Sequence, residues 1–248
     1  MSLPDIVDRE AWRAARIALL AQEKELTRQI DRLNSQRRML PMVAVDKPYR
    51  FTGPDGEVGL ADLFGEMSQL IVQHVMFDPE WDNACSSCTA SLDEVSDGLL
   101  SHLAARDTAF ALVSRAPLAK LAKYRAERGW TIPWYSSNGS DFNYDYHVTL
   151  DEAVAPVEYN YRSGADFAAT KGWSLVEPGK SSEQPGLSCF LKVDDQVFHT
   201  YSTYARGADH LGGSYALLDL TALGRQEEWE EPKGRAAQAR RSVPDFSE

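Results

Sequence analysis

Gln69-Leu-Ile-Val-Gln-His-Val-Met-Phe77 is a nearly unbroken apolar run, followed by Asp78-Pro-Glu-Trp-Asp-Asn-Ala84 and then by Cys85-Ser86-Ser87-Cys88. Such a run is the signature of a central β-strand covered on both faces. The polar stretch containing Pro79 reads as a turn, and the residues from Cys85 to about Ala105 read as a helix. Strand, turn and helix in this order set two cysteines, two residues apart, at a helix N-terminus.

The same alternation continues downstream. Phe110-Ala-Leu-Val113 is a buried strand. Pro117 to Arg128 is a helix, with Pro in its first turn and Gly129 at its end. Trp130 to Tyr135 is a further strand. Strands alternating with helices predict an α/β fold with parallel strands at its centre. Residues 163–185, rich in Ser, Gly, Lys and Glu, read as an inserted loop. Leu187–Val193 and Gln196–Tyr201, joined through Asp194-Asp195, form a β-hairpin. A helix over 209–218 closes the domain, and the chain after Gly224 is a polar tail.

Upstream, Met42–Val45 and Tyr49–Thr52 are short strands, and Leu60–Phe64 is a brief helix. Residues 8–38 form one long helix, with Trp12, Leu19, Leu26 and Leu33 recurring at sevens among Arg, Lys, Glu and Gln. A single apolar stripe of this length wants a partner surface, either its own domain or a second copy of the chain in a homodimer. The expected organisation is therefore a helical extension over 1–40, an α/β domain over 41–225 and a tail over 226–248.

Across 248 residues the net charge is −11, which argues against a nucleic-acid partner, because phosphate binding needs a positive face. Apolar stretches fall short of the roughly 20 residues of a membrane span, so no membrane partner is expected. The N-terminus, Met-Ser-Leu-Pro-Asp-Ile-Val-Asp-Arg-Glu, lacks the positive and apolar regions of a signal peptide, and the expected location is cytoplasmic. Three cysteines suit reduced thiols better than a secreted disulfide framework.

At a helix start, the first thiol of such a pair sits among free backbone N–H groups that favour a thiolate. The second lies within one turn and can resolve a mixed disulfide. Cys85 is thus the expected attacking thiolate and Cys88 the resolving thiol. Backbone dipoles are the expected source of thiolate stabilisation, while Glu80, Asp82 and Asp93 would oppose it if close. Two other readings stand beside this one: a buried pair without chemistry, and a zinc site. Structural zinc usually needs a second Cys-x-x-Cys or a His pair at short spacing, and neither is present.

The run Phe77 to Cys88 resembles the active-site approach of thioredoxin-like proteins. Leu112-Val-Ser-Arg-Ala-Pro-Leu-Ala-Lys120, Gly129-Trp-Thr-Ile-Pro-Trp134, Ser140-Asp-Phe-Asn-Tyr-Asp145 and Phe198-His-Thr-Tyr-Ser-Thr-Tyr-Ala-Arg-Gly207 resemble a bacterial family catalogued as domain of unknown function 899, over about residues 40–225. The resemblance implies a thioredoxin-like fold, a central mixed sheet flanked by helices, and a dithiol–disulfide oxidoreductase without a bound cofactor. It implies a protein or small-molecule thiol or disulfide as substrate. A peroxiredoxin-like peroxidase and a non-catalytic thioredoxin-like binding module are the alternatives. Thioredoxins place a cis-proline before the penultimate strand, and Pro185 is the nearest candidate. Asp82 stands where peroxiredoxins carry a Thr.

Trp81, Arg115 and Pro185 are the candidates for contacting substrate. Arg115 follows a strand and so reaches the carboxyl edge of the sheet, where either a ligand or a salt bridge would use it. Cys189 and His74 are expected as core residues, His74 with a hydrogen bond. The aromatics between Trp130 and Tyr146 are expected to build core rather than a groove.

Overall fold

The computed structural model describes residues 4–209 and 213–233. In chain order the elements are α1 (Arg9–Arg38), β1 (Val43–Ala44), β2 (Arg50–Gly53), β3 (Gly56–Gly59), a 3-10 turn (Leu60–Phe64), β4 (Gln69–His74), α2 (Ser86–Asp93), α3 (Asp97–Ala104) and β5 (Thr108–Ser114). There follow α4 (Leu118–Arg128), β6 (Trp134–Ser136), α5 (Phe142–Asp145), β7 (Thr149–Leu150), β8 (Glu158–Tyr159), β9 (Arg162–Ser163) and α6 (Gly164–Lys171). The last are β10 (Ser182–Glu183), β11 (Gly186–Val193), β12 (Gln196–Tyr204) and α7 (Ser214–Leu218).

Two compact units are present. One comprises the described residues up to Pro41 and from Leu217 onward, and α1 dominates it. Asp8 caps α1, its carboxylate accepting from the Ala11 N–H at 2.8 Å. Glu10 in the first turn and Arg37 and Arg38 in the last complement the helix dipole. None of the helix is buried, and Trp12, Leu19, Leu26 and Leu33 are all at least half exposed. No helix among the described residues is long and apolar enough to cross a membrane.

The other unit is built on Met42–Ala216. Among its described residues eight strands form one mixed sheet in the order β1-β12-β11-β4-β5-β6-β2-β3. The three central strands β4, β5 and β6 run parallel, as their intervening helices require. β11 joins the free side of β4 antiparallel, and β12 returns beside β11 as its hairpin partner. Two cores lie on this sheet. Leu70, Val72 and Val113 join Phe142, Tyr146 and Phe190 in one. Leu112 joins Phe77, Cys88, Leu92, Leu121 and Trp134 in the other, which holds α2 and α4 to the sheet. Phe77 and Trp134 are 0% and 1% exposed, and burying a large apolar side chain of this kind contributes about 1.5–3 kcal/mol.

Three expectations need correction. The helix expected from Cys85 to Ala105 is broken after Asp93: the Val95 N–H closes on the Leu92 carbonyl, and the Ser96 side chain accepts from Leu99 N–H to cap a new helix. The strand expected from Trp130 begins only at Trp134, since Trp130 turns its indole N–H to Asp93 at 2.9 Å. The segment 163–185 is not a plain loop. Ser163 caps α6, Gly172 ends it in the left-handed region at φ 77°, and Ser182–Glu183 pairs with β7. Pro185, the nearest candidate for a thioredoxin-type cis-proline, does not follow a cis bond; among the described residues only Glu231–Pro232 is cis. The helix expected over 209–218 is described as Ser214–Leu218, and residues 210–212 lie outside the described residues.

His74 meets its expectation as a hydrogen-bonded core residue. It is 1% exposed, and its Nε2 lies 2.8 Å from Ser188 Oγ. Of the aromatics expected as core, Trp134, Phe142 and Tyr146 are buried, while Trp130, Tyr135 and Tyr144 are only partly so.

Candidate functional site

After β4 the chain runs on through Val75 and Phe77, which are buried, and then turns over Asp78–Ala84. Cys85 is the N-cap residue of α2, and its backbone N–H donates to the Met76 carbonyl at 2.9 Å. Its own carbonyl accepts from the Thr89 N–H at 2.9 Å and from the Thr89 hydroxyl at 3.0 Å. Because that hydroxyl has one proton, Tyr124, 2.9 Å away, donates to Thr89 in turn. The N-cap position of Cys85 is therefore held from both sides of its peptide.

The two thiols have different surroundings. Cys85 is half-buried and Cys88 is 6% exposed, within the α2–α4 core. The Cys88 thiol, donating to Cys85 Sγ, is the largest influence that pulls the Cys85 pKa down to about 5. Burial opposes it, and the backbone N–H groups of Cys88 and Ser87, with the Ser87 hydroxyl, assist it. The counterpart is a Cys88 thiol pushed well above its usual range by its bond to Cys85, by burial and by the Cys85 charge. Backbone dipoles were the expected main stabiliser; the neighbouring thiol comes before them. Of the acids expected to oppose the thiolate, Asp93 is engaged by Arg128 and by the Trp130 indole.

The loop before Cys85 is pinned by two cations that flank the start of α4. Lys120 Nζ donates to the carbonyls of Pro79 at 2.7 Å and Trp81 at 2.8 Å. Arg115 Nη2 donates to Asp78 Oδ2 at 2.5 Å. The same guanidinium donates through Nε to Glu183 Oε1 at 2.7 Å and through Nη1 to the Tyr144 hydroxyl at 2.8 Å. Glu183 is almost fully buried and takes a further bond from the Thr149 hydroxyl at 3.0 Å. Burial raises its pKa, against Arg115 and Thr149, which lower it.

Of the residues singled out from sequence, Cys85 and Cys88 come together at the helix start. Arg115 is nearly buried and spends its donors on protein groups. Trp81 is 38% exposed on the loop before the pair. Pro185 stands just before β11, whose first residue Gly186 pairs with His74 at the end of β4. The Pro185 carbonyl accepts from the Tyr159 hydroxyl at 3.0 Å. Asp78, Lys120 and Glu183 escaped the sequence reading. An exposed-looking Lys in a helix and an acid in a polar segment carry no periodic signal; only the fold brings them to one edge of the sheet. Among the described residues no group of three or more His, Cys, Asp and Glu is arranged to hold a metal ion.

Sheet order, the helix that follows the central strand, and the antiparallel hairpin on that strand's other side make this a thioredoxin-like α/β protein. More particularly, the chain belongs to the family described as "Bacterial protein of unknown function (DUF899)", which it matches over residues 1–243. None of the curated proteins compared with the chain matches it in sequence. Among solved structures, a mutant of Xanthomonas campestris peroxiredoxin Q is similar at 13% identity and TM-score 0.40, over 69% of this chain and 94% of the other. A mutant of Xylella fastidiosa PrxQ is similar at 12% and 0.38, over 69% and 91%. BsSco, of the Sco family of cytochrome c oxidase assembly proteins, is similar at 15% and 0.31, over 66% and 85%. At such values these likenesses say nothing about chemistry.

Proposed function

We propose that the protein is a thiol–disulfide oxidoreductase working through Cys85 and Cys88. The observation that supports it best is the placement of the pair, with Cys85 half-buried at the N-cap of α2 and Cys88 buried three residues on, an asymmetry that favours the thiolate on Cys85 and the protonated form on Cys88. The Cys85 thiolate attacks one sulfur of a substrate disulfide, the substrate S–S bond breaks, and the other substrate sulfur leaves as a thiolate that takes a proton from water. In the mixed disulfide Cys85 bears no charge. Two of the three influences that hold the Cys88 pKa up, its bond to Cys85 and repulsion by Cys85, are then gone, and burial alone remains. Cys88 loses its proton and attacks Cys85 Sγ, releasing the second substrate thiol and forming the Cys85–Cys88 disulfide. The substrate has gained two electrons and two protons, and an external dithiol must return the pair to its reduced form. Trp81, exposed on the loop before the pair, and Pro185, just before β11, are the candidate substrate-side residues, whereas the donors of Arg115 are taken up by protein groups.

The test is an insulin-reduction assay with dithiothreitol as donor, combined with trapping. Cys85→Ser is expected to abolish turnover, and Cys88→Ser to accumulate a mixed disulfide on Cys85. Full turnover by Cys85→Ser would sink the reading.

The apolar stripe of α1 carries a second part of the proposal, a homodimer. The helix holds eight Arg and Lys against four Asp and Glu in a chain of net charge −11, so a second copy offers it surface of opposite sign.

A further inference from the structure

Arg115 sits immediately after β5, at the edge of the sheet where β4 and β5 also end. Its guanidinium has five N–H donors, and four are engaged: Nε to Glu183, Nη1 to Tyr144, and Nη2 to Asp78 and, at 3.2 Å, to Ser181. The Tyr144 ring also lies against it, 5.6 Å from ring centroid to guanidinium carbon. Asp78 opens the loop that ends at Cys85. Ser181 and Glu183 belong to the segment that leads into Pro185 and β11. One side chain therefore ties the approach to the cysteine pair to the segment before the strand beside it. Side chains of Arg115, Asp78 and Glu183 are only 15%, 14% and 2% exposed, so water competes little for these bonds.

The backbone around Arg115 repeats the connection. The Ala116 N–H donates to the Phe77 carbonyl at 2.8 Å, and the Asn138 side-chain amide donates to the Arg115 carbonyl at 3.0 Å. Lys120 fixes the middle of the same loop. A lysine in place of Arg115 would have a single ammonium and no fork, and it would not reach the Asp78 loop, Tyr144 in α5 and Glu183 in β10 at once.

We propose that Arg115 is a positioning residue for the cysteine pair: through Asp78 and Glu183 it holds the Asp78–Ala84 loop in the place that seats Cys85 at the N-cap of α2. The proposal rests on the oxidoreductase reading above. Cys85 Sγ meets the Cys88 thiol and the backbone N–H groups of α2 only while Cys85 stays at the cap, so a loosened loop costs the thiolate its partners.

The experiment measures the pH profile of Cys85 alkylation by iodoacetamide in the full chain, read on the Cys85 peptide by mass spectrometry. Wild type is compared with Asp78→Asn, which removes the charge from the arm to the loop and leaves one acceptor oxygen for two donors, Arg115 and the Glu80 N–H, and with Arg115→Lys; circular dichroism and Tm report folding. The expected result is a folded Asp78→Asn whose midpoint lies about one pH unit above wild type, which lowers the thiolate at pH 5 about fivefold. Arg115→Lys is expected to do the same. A lower Tm with an unmoved midpoint in both variants would show a structural role only and overturn the proposal. If Asp78→Asn does not fold, Arg115→Lys decides in the same way, and unfolding of both counts against positioning. A wild-type midpoint at the ordinary thiol value would instead overturn the oxidoreductase reading itself, so the two failures are distinguishable.

Discussion

Replacing Cys88 by Ala removes the largest single influence on the Cys85 thiolate. With a pKa of about 5, Cys85 is about 90% thiolate at pH 6 and about 99% at pH 7. An unperturbed thiol near 8.5 is only about 0.3% thiolate at pH 6. Cys88→Ala is expected to fall between these limits, because the Ser87 and residue-88 backbone N–H groups remain while burial still opposes the charge. Cys88→Ser is expected to move less than Cys88→Ala, since its hydroxyl can still donate to the thiolate. Alkylation by iodoacetamide from pH 4 to 9 follows the thiolate directly, and peptide-resolved mass spectrometry separates Cys85 from Cys189. A Cys88→Ala profile that overlays wild type would refute the reasoning, because the neighbouring thiol would then contribute nothing. Reversed order of the Ala and Ser variants would refute the hydrogen-bond cause specifically.

Burial, with His199 adding to it, lowers the His74 pKa from 6.5 to about 3. Above pH 6.5 both folded and unfolded states carry neutral His74. Between 6.5 and 3 only the unfolded state takes up the proton, so stability falls as pH falls through this window, by up to about 5 kcal/mol at its acid end. Urea midpoints measured across that range should decline in wild type and decline less in His74→Phe; parallel declines would discard the assignment. A Cβ on Gly186 would meet Tyr204 Cδ1 at 2.8 Å and Val148 Cγ1 at 3.1 Å. Gly186→Ala is therefore expected to lose about 1–3 kcal/mol in urea unfolding, and unchanged stability would show that Tyr204 yields freely. Removal of residues 1–41 is expected to convert a dimer into a monomer in sedimentation; an unchanged mass would remove α1 from the interface.

Much of the architecture was already readable along the chain. The Gln69–Phe77 run marks the central strand β4, which ends at His74 and buries Leu70, Val72 and His74 while Ile71 and Gln73 on its other face are partly covered, and Pro117 with Gly129 bounds α4, because these signals depend on near neighbours and repeat period. The cysteine pair was readable for the same reason: its strand-turn-helix setting lies within 20 residues of chain. The break at Val95 was less so, since Val95 and Ser96 interrupt no hydrophobic period and only the cap bond to Leu99 reveals the new helix. The α6 helix was hidden by a composition that reads as loop, although Ser163 and Gly172 are the residue types that cap a helix.

What the sequence by itself determined is the succession of strands and helices and the place of Cys85 and Cys88 on them, because both follow from local propensity and pattern. Only the tertiary structure decided how the two thiols differ and what holds them. Cys88 is buried because α2 packs against Leu112, Leu121 and Trp134, while Cys85 stays at the helix cap. Arg115 meets Asp78, 37 positions earlier, because β4 and β5 are parallel and end at one edge of the sheet, and Glu183, 68 positions later, because the antiparallel β11 starts at that same edge. Desolvation and charge pairing act through space, and distance in space is what a linear pattern does not contain.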